Sequence, residues 1–305
     1  MKNLFLSAML ALAVPAAKVV AQEQSEKNVI TFEVGDFLVS TLSEGQQRGN
    51  GDVLIGATPD MRQKYLPKGT YPNAVNAFLV RTPDQTVLID AGFGRKLFDN
   101  LQSLGVSVGQ VNTILLTHMH GDHIGGLLRD GKVAFPNAVL YISQAEHDYW
   151  TSDSAMQAVP ENRRGGFQQV RRVVAAYKDK FRLFTPGEAA GTDTPELFPG
   201  FWGIAAYGHT PGHTAYLLES ASSRLLIWGD LTHAMSIQMP CPEVAVTYDV
   251  DYKAAIESRR RLLEYAAKNK IPAGGMHIAY PSIGNVKASS KGGYEFEEFC
   301  TCLGL

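Results

Sequence analysis

Three histidines and an aspartate fall within six residues, 118–123, inside the run Thr-His-Met-His-Gly-Asp-His-Ile-Gly-Gly at positions 117–126. Imidazole and carboxylate groups are ligands for divalent transition metals. Four of them so close together would be costly in an apolar core, and they have no use in an ordinary surface turn. The run follows residues 111–117, Val-Asn-Thr-Ile-Leu-Leu-Thr, whose apolar and β-branched character fits a buried strand. A chain of this kind is expected to bring a metal-binding loop to the end of a buried strand. Side chains at i and i+2 of extended backbone share a side, so His118 and His120 can meet one ion. Asp122 and His123 follow in a glycine-flanked turn that can aim them at a second.

The other polar residues stand in similar places. His209 and His213 lie in Gly-His-Thr-Pro-Gly-His after the apolar residues 201–207. Asp230 follows residues 225–228, and His277 follows residues 273–276. Each ends an apolar run, where buried sheet would give way to a cleft. Further strands are expected at residues 29–32, 37–42, 77–81, 86–90, 138–142, 214–218 and 224–228. Helices are expected at 98–104, from Ser143 through Trp150 with Glu146 in capping-box position, at 166–180 and at 251–269. The Gly- and Pro-bearing residues 45–72 look like a long excursion, not a strand pair. Strands in two groups with flanking helices suggest two packed sheets with helices outside.

With 305 residues the chain would form one large domain or two small ones. Its 45% hydrophobic and 19% charged residues are ordinary for a soluble globular protein. Residues 1–21 read as a secretion signal. Lys2 begins it, residues 4–17 form an apolar stretch too short to span a bilayer comfortably, and Val19-Val20-Ala21 suits cleavage. Residues 22–36 are then a flexible mature N-terminus and first strand, and 37–305 the main domain. Export to the periplasm or the medium is expected, with no membrane contact after cleavage. Losing residues 1–21 removes Lys2 and Lys18 and no acid, so the formal charge of −2 becomes more negative. With no basic block, nucleic acid is not an expected partner. Cys241, Cys300 and Cys302 make no disulfide framework, though Cys241 could pair with either of the others.

The His-x-His-x-Asp-His motif, His209, the Gly-Asp pair at 229–230 and His277 together resemble the metallo-β-lactamase superfamily. Gly-His-Thr-Pro-Gly-His-Thr (208–214), Gly-Asp-Leu (229–231) and His-Ile-Ala-Tyr-Pro-Ser-Ile-Gly (277–284) resemble its exported methyl parathion hydrolase branch. That branch is similar in turn to the quorum-quenching lactonases. The likeness runs from about residue 37 to residue 296. It implies an αββα sandwich and two divalent ions, zinc first, with Mn, Fe or Co also compatible. By this resemblance His118, His120 and His209 hold one ion, Asp122, His123 and His277 the other, and Asp230 bridges them. Asp90 matches an aspartate that orients ligands, although Ala91 stands where the family usually has Thr or Ser.

The activity implied is hydrolysis of an ester-like bond by a metal-bound hydroxide, with Asp122 and Asp230 as the catalytic carboxylates. A lactone or carboxylic ester is the first expected substrate and a phosphotriester the second. A β-lactam or thioester hydrolase, or an exported metal-binding protein without turnover, are the alternatives. His120 argues against the redox di-iron relatives, which carry Glu there, and Asp230 against penicillin hydrolysis. Relatives are often dimers, so a homodimer is compatible.

Trp150, Phe167, Phe93 and Phe98 are candidates for an apolar substrate wall. His213 is expected to pin its turn by hydrogen bonds. His233, soon after Asp230, could reach the pocket, though an ordinary polar residue is the first reading; His147 reads as surface or satisfied interior. Arg163, Arg164, Arg171 and Arg172 read as solvated faces.

Overall fold

Strand Thr70–Arg81 carries the layering in its alternation. Phe78 and Val80 join a central core, while Ala77 and Leu79 join an outer one. Strand Thr86–Ile89 divides in the same way, Val87 and Ile89 inward and Leu88 outward. Strands covered on both faces read as continuous apolar runs, which is why these segments show no polar alternation.

The computed structural model describes residues 28–188, 194 and 196–299. The expected signal segment and Cys300 and Cys302 lie outside the described residues, and with them any pairing of Cys241. Two seven-stranded mixed sheets are packed face to face. The first runs Val29–Val34, Phe37–Asn50, Thr70–Arg81, Thr86–Ile89, Thr113–Leu115, Val139–Ser143, Phe181–Phe184. Its first four strands are antiparallel neighbours and its last four parallel. The second runs Glu196–Phe198, Phe201–Ala205, Thr214–Ser220, Ser223–Ile227, Ala273–Gly274, Ile283–Ala288, Tyr294–Glu298.

Phe32, Phe78, Val87 and Leu115 of the first sheet meet Phe201, Tyr216, Leu218 and Ile227 of the second in the central core. Outside the first sheet, helix Arg164–Tyr177 buries Phe167, Val170, Val173 and Tyr177, three or four residues apart. Outside the second, helix Tyr252–Asn269 buries Leu262, Leu263 and Ala266. Asp251 caps its start by accepting the Ala254 N–H, and Lys270 ends it in the left-handed conformation. This is the αββα sandwich. No helix among the described residues is long and apolar enough to cross a membrane.

The excursion expected at residues 45–72 begins and ends in strand, with the short helix Pro59–Tyr65 between. Phe37–Asn50 and Thr70–Arg81 remain paired from Leu38↔Arg81 to Asn50↔Thr70, with a register shift between Ser43 and Gly45. Past Gly45 the ribbon leaves the sandwich, and Gln46, Gln47 and Arg48 are exposed. Residues 45–50 bury no apolar side chain, although Tyr71 and Ala74 opposite them are buried, so this side lacks the apolar pattern that marks a strand. Residues 29–34 belong to the first sheet, hydrogen-bonded to Phe37–Asn50.

Candidate metal centre

The ends of strands from both sheets converge at one edge of the sandwich. Asp90 follows Thr86–Ile89 with a φ of 58° and places its carboxylate under the 117–123 loop. Its Oδ1 accepts the Thr117 N–H (2.8 Å), and its Oδ2 accepts the Thr117 hydroxyl (2.7 Å) and His123 Nδ1–H (2.7 Å). Beyond that anchor His118 and His120 turn inward. Asp122 and His123 sit on the one-turn helix Gly121–Ile124, entered through His120. From the second sheet come His209 after Phe201–Ala205, Asp230 after Ser223–Ile227 and His277 after Ala273–Gly274.

Two sets of ligand atoms result. His118 Nε2 lies 2.9 Å from His120 Nδ1, which lies 3.0 Å from His209 Nε2. Asp122 Oδ1 is 3.8 Å from His123 Nε2, and Asp122 Oδ2 is 3.5 Å from His277 Nε2. The Asp230 carboxylate stands between the sets. Its Oδ1 is 3.2 Å from His123 Nε2, and its Oδ2 is 3.3 Å from His209 Nε2 and 3.0 Å from His277 Nε2. All seven residues thus fall into clusters whose donor atoms could hold metal ions.

The hydrogen-bond roles show that the clusters fit such ions. His123 Nδ1–H donates to Asp90, His209 Nδ1–H to Asp249 Oδ1 (2.8 Å), and His277 Nδ1–H to the Ala74 carbonyl (2.8 Å). Each partner is an acceptor only, so each Nδ1 carries the proton and the lone pair of the neutral ring is on Nε2. In the neutral rings all three Nε2 lone pairs face the Asp230 carboxylate, a repulsion that a bound divalent ion would relieve; without one, the carboxylates around them outweigh burial and raise the pKa of His123, His209 and His277. His123 Nε2 and Asp230 Oδ1 are also buried without a hydrogen-bond partner. Imidazole and carboxylate donors without sulfur suit Zn, Mn, Fe or Co.

Burial alone would raise the Asp230 carboxyl, but the imidazoles of His123, His277, His233 and His118 outweigh it and hold it well below the usual range. Asp122 is likewise lowered, because His123 and His277 outweigh its burial. Burial pushes His120 and His213 down to about 3. A neutral His213 matches its bonds: Nδ1–H donates to the Ala206 carbonyl (2.9 Å), and Nε2 accepts the Asp230 N–H (2.9 Å). His213 therefore pins the strand end that carries Asp230 as well as its own turn. Gly229, with φ of 61°, is required there, since a Cβ would lie 2.4 Å from His213 Nε2.

Three residues outside the predicted ligand set join the site. Asp249 orients His209 and also accepts the Val246 N–H. His233, expected to be an ordinary polar residue, is buried with Nε2 3.0 Å from Asp230 Oδ2, and its ring stacks on His277 at 4.7 Å. The third is Glu146. Ser143 does cap helix Gln144–Thr151, accepting the Glu146 N–H at 3.2 Å. The Glu146 carboxylate does not close the box on the Ser143 N–H, because it is fully buried and accepts N–H groups from elsewhere.

The aromatic candidates separate. Trp150 is 5% exposed and stands edge-on to His120, ring centroids 5.5 Å apart. Phe167 lies in the outer core at 4.6 Å from Trp150, and Phe98 stacks on Phe135 in the same core. Phe93 is 42% exposed, with the Arg95 guanidinium over its ring. His147 sits beside Asp148 and Phe181, away from the ligands. Arg171 pairs with Asp153 at 2.7 Å, and Arg163 donates to the Thr247 carbonyl.

Known proteins place this architecture. The hydrolase AbOPH of the beta-lactamase superfamily superimposes with a TM-score of 0.81 at 28% identity, covering 91% of this chain and 99% of that one. AidC, a dizinc quorum-quenching lactonase solved with a product bound, does so with a TM-score of 0.78 at 26% identity, covering 90% and 98%. In sequence, the anti-Pycsar protein Apyc1 of Paenibacillus sp. (strain J14) is 44% identical over 146 residues, 47% of this chain and 55% of that protein. YobT of Bacillus subtilis (strain 168) is 29% identical over 158 residues, 51% and 61% respectively. The chain thus spans less than two thirds of the length of both these curated relatives. The profile of the metallo-beta-lactamase superfamily matches residues 70–274, more than half of the chain. That stretch runs through six of the seven converging side chains and stops just short of His277, and the chain belongs to the metallo-beta-lactamase superfamily.

Proposed function

We propose that this chain is a dinuclear metal-dependent hydrolase of ester-like bonds, with a lactone as its first substrate class and a phosphotriester as a second activity of the same site. The observation that carries this reading is Asp230, a buried carboxylate set between two groups of candidate ligands with three imidazole Nε2 atoms within 3.3 Å of it. In this reading His118, His120 and His209 would hold one ion and Asp122, His123 and His277 the other, with Asp230 within reach of both. Two divalent ions lower the pKa of water and polarise the substrate oxygen.

The chain's own residues supply the rest. Asp90, Asp249 and the Ala74 carbonyl hold three rings with Nε2 inward, so little reorganisation is needed. Asp122, its side chain 23% exposed, is the most open of the ligand carboxylates. Kept anionic by His123 and His277, it can accept a hydrogen bond from water or from a hydroxyl at the rim. Trp150 closes the side of His120. The half-exposed Tyr248 stands with its ring 5.6 Å from that of His233. AidC, with its lactone-derived product, supports the lactone as first choice.

Metal analysis of the purified protein followed by a panel of acyl-homoserine lactones, aryl esters and phosphotriesters tests the proposal. We expect two ions per chain and ring opening of lactones above the rate with free zinc. A zinc-loaded protein no faster than free zinc on every class would end the hydrolase reading. We also propose that residues 1–21 direct export. A secreted or periplasmic product beginning near Gln22 is the expected outcome of N-terminal sequencing after expression in a Gram-negative host.

A further inference from the structure

Glu146 is a fully buried carboxylate that, among the described residues, forms no ion pair with a cationic side chain. Its Oε1 accepts the Met119 N–H at 3.0 Å and the Trp150 indole N–H at 2.6 Å. Its Oε2 accepts the Gly212 N–H at 3.0 Å. Burial pushes the Glu146 carboxyl up, while these three N–H donors favour the ionised acid, whose oxygens only accept. An anion buried among N–H groups is tolerated only while those bonds stay in place, so it resists any movement of the segments that donate them.

Those segments share one destination. Met119 lies between His118 and His120. Gly212 lies three residues after His209 and directly before His213. The Trp150 ring is edge-on to His120. None of the three donors belongs to Asp122, His123 or His277. The seam is also tight. A Cβ on Gly212 would come within 2.1 Å of the Glu146 nitrogen, and the Ser143 hydroxyl donates to the Gly212 carbonyl at 2.6 Å.

We propose that Glu146 is the positioning residue of the His118–His120–His209 half of the metal centre. One buried carboxylate ties the 118–120 loop of the first sheet, the 209–213 turn of the second and the Trp150 side wall into a unit that exists before metal arrives. The proposal rests on the dinuclear reading of the site and on no particular substrate.

Zinc affinity by chelator competition tests it in two backgrounds. His277→Ala weakens the far half-site and reports on the near one, and His118→Ala does the reverse. Glu146→Gln keeps the size of the side chain but turns an NH2 group toward an N–H. We expect it to weaken zinc binding about 10- to 100-fold in the His277→Ala background, and by less than about twofold in the His118→Ala background. Equal weakening in both, or none in the first, would overturn the proposal.

A second measurement needs no variant. In the metal-free wild-type protein the Met119 and Gly212 amides should already exchange slowly with solvent deuterium. Fast exchange that slows only when zinc is added would show that metal, not Glu146, orders the loops, and would equally overturn the proposal. A wild-type protein that binds no zinc would instead remove the dinuclear reading, while the amide exchange would still judge the role of Glu146.

Discussion

The two halves of the metal centre reach the same inward-facing geometry by different routes. In the half built on Asp122, His123 and His277, the rings are held by direct contacts to the first sheet. Asp90 accepts from His123 and the Ala74 carbonyl from His277. In the half built on His118, His120 and His209, Asp249 holds one ring directly, and the loops themselves are held through peptide N–H groups bonded to Glu146. A carboxylate partner makes an imidazole a stronger donor to metal than a neutral carbonyl does. His123 and His209 each have such a partner, so each half contains one imidazole made more basic. Asp230 is the residue the two halves share.

That shared position predicts the largest effect. Asp230→Asn should lose at least one ion, seen by elemental analysis, and at least about 100-fold in hydrolysis, more than loss of a partner behind a ligand costs. A fully loaded and fully active variant would dissolve the idea that the halves meet at Asp230.

Trp150→Ala comes next, because it both empties a core position and opens the side of His120. We expect about 3–5 kcal/mol of destabilisation in urea unfolding, together with a shift in preference between small and bulky substrates at unchanged metal content. Unchanged substrate preference would leave Trp150 as core alone.

Asp90→Asn and Asp249→Asn sharpen the comparison directly. Each should weaken zinc about 10- to 100-fold, Asp249→Asn in the His209 half and Asp90→Asn chiefly in the His123 half, with a smaller effect at His118 through the Thr117 hydroxyl. Asp90→Asn should be the worse of the two, since it also disturbs two bonds from Thr117. Identical effects on both ions from either change would erase the division into halves.

His213→Ala should have the smallest effect. It leaves the Asp230 N–H without its partner, at about 1–3 kcal/mol of stability by thermal unfolding, with the ligand set intact.

The convergence of the candidate ligands was legible in the sequence because metal chemistry favours particular side chains at strand ends. Apolar runs leading into His118, His209, Asp230 and His277 announced those ends. The paired sheets were legible for a related reason, since strands buried on both faces must be apolar throughout. The ribbon at residues 45–50 was not legible, because it leaves the core and has nothing to bury. Phe167 looked like a pocket wall in a polar segment, yet its helix turns it onto Trp150 in the outer core. Asp249 carried no local mark, and His233 only its nearness to Asp230. Glu146 occupied a capping position that suggested a different partner altogether.

By itself, then, the sequence determined which groups are available to hold metal and which segments must be buried, because both follow from residue type and local spacing. Only the tertiary structure decided which carboxylate faces which ring. Asp90 reaches His123 across 33 residues, Asp249 reaches His209 across 40, and Glu146 reaches Gly212 across 66. Bonds over such separations depend on how two sheets and their helices pack. No periodicity along the chain encodes that packing, and it is what turned separate strand ends into one site.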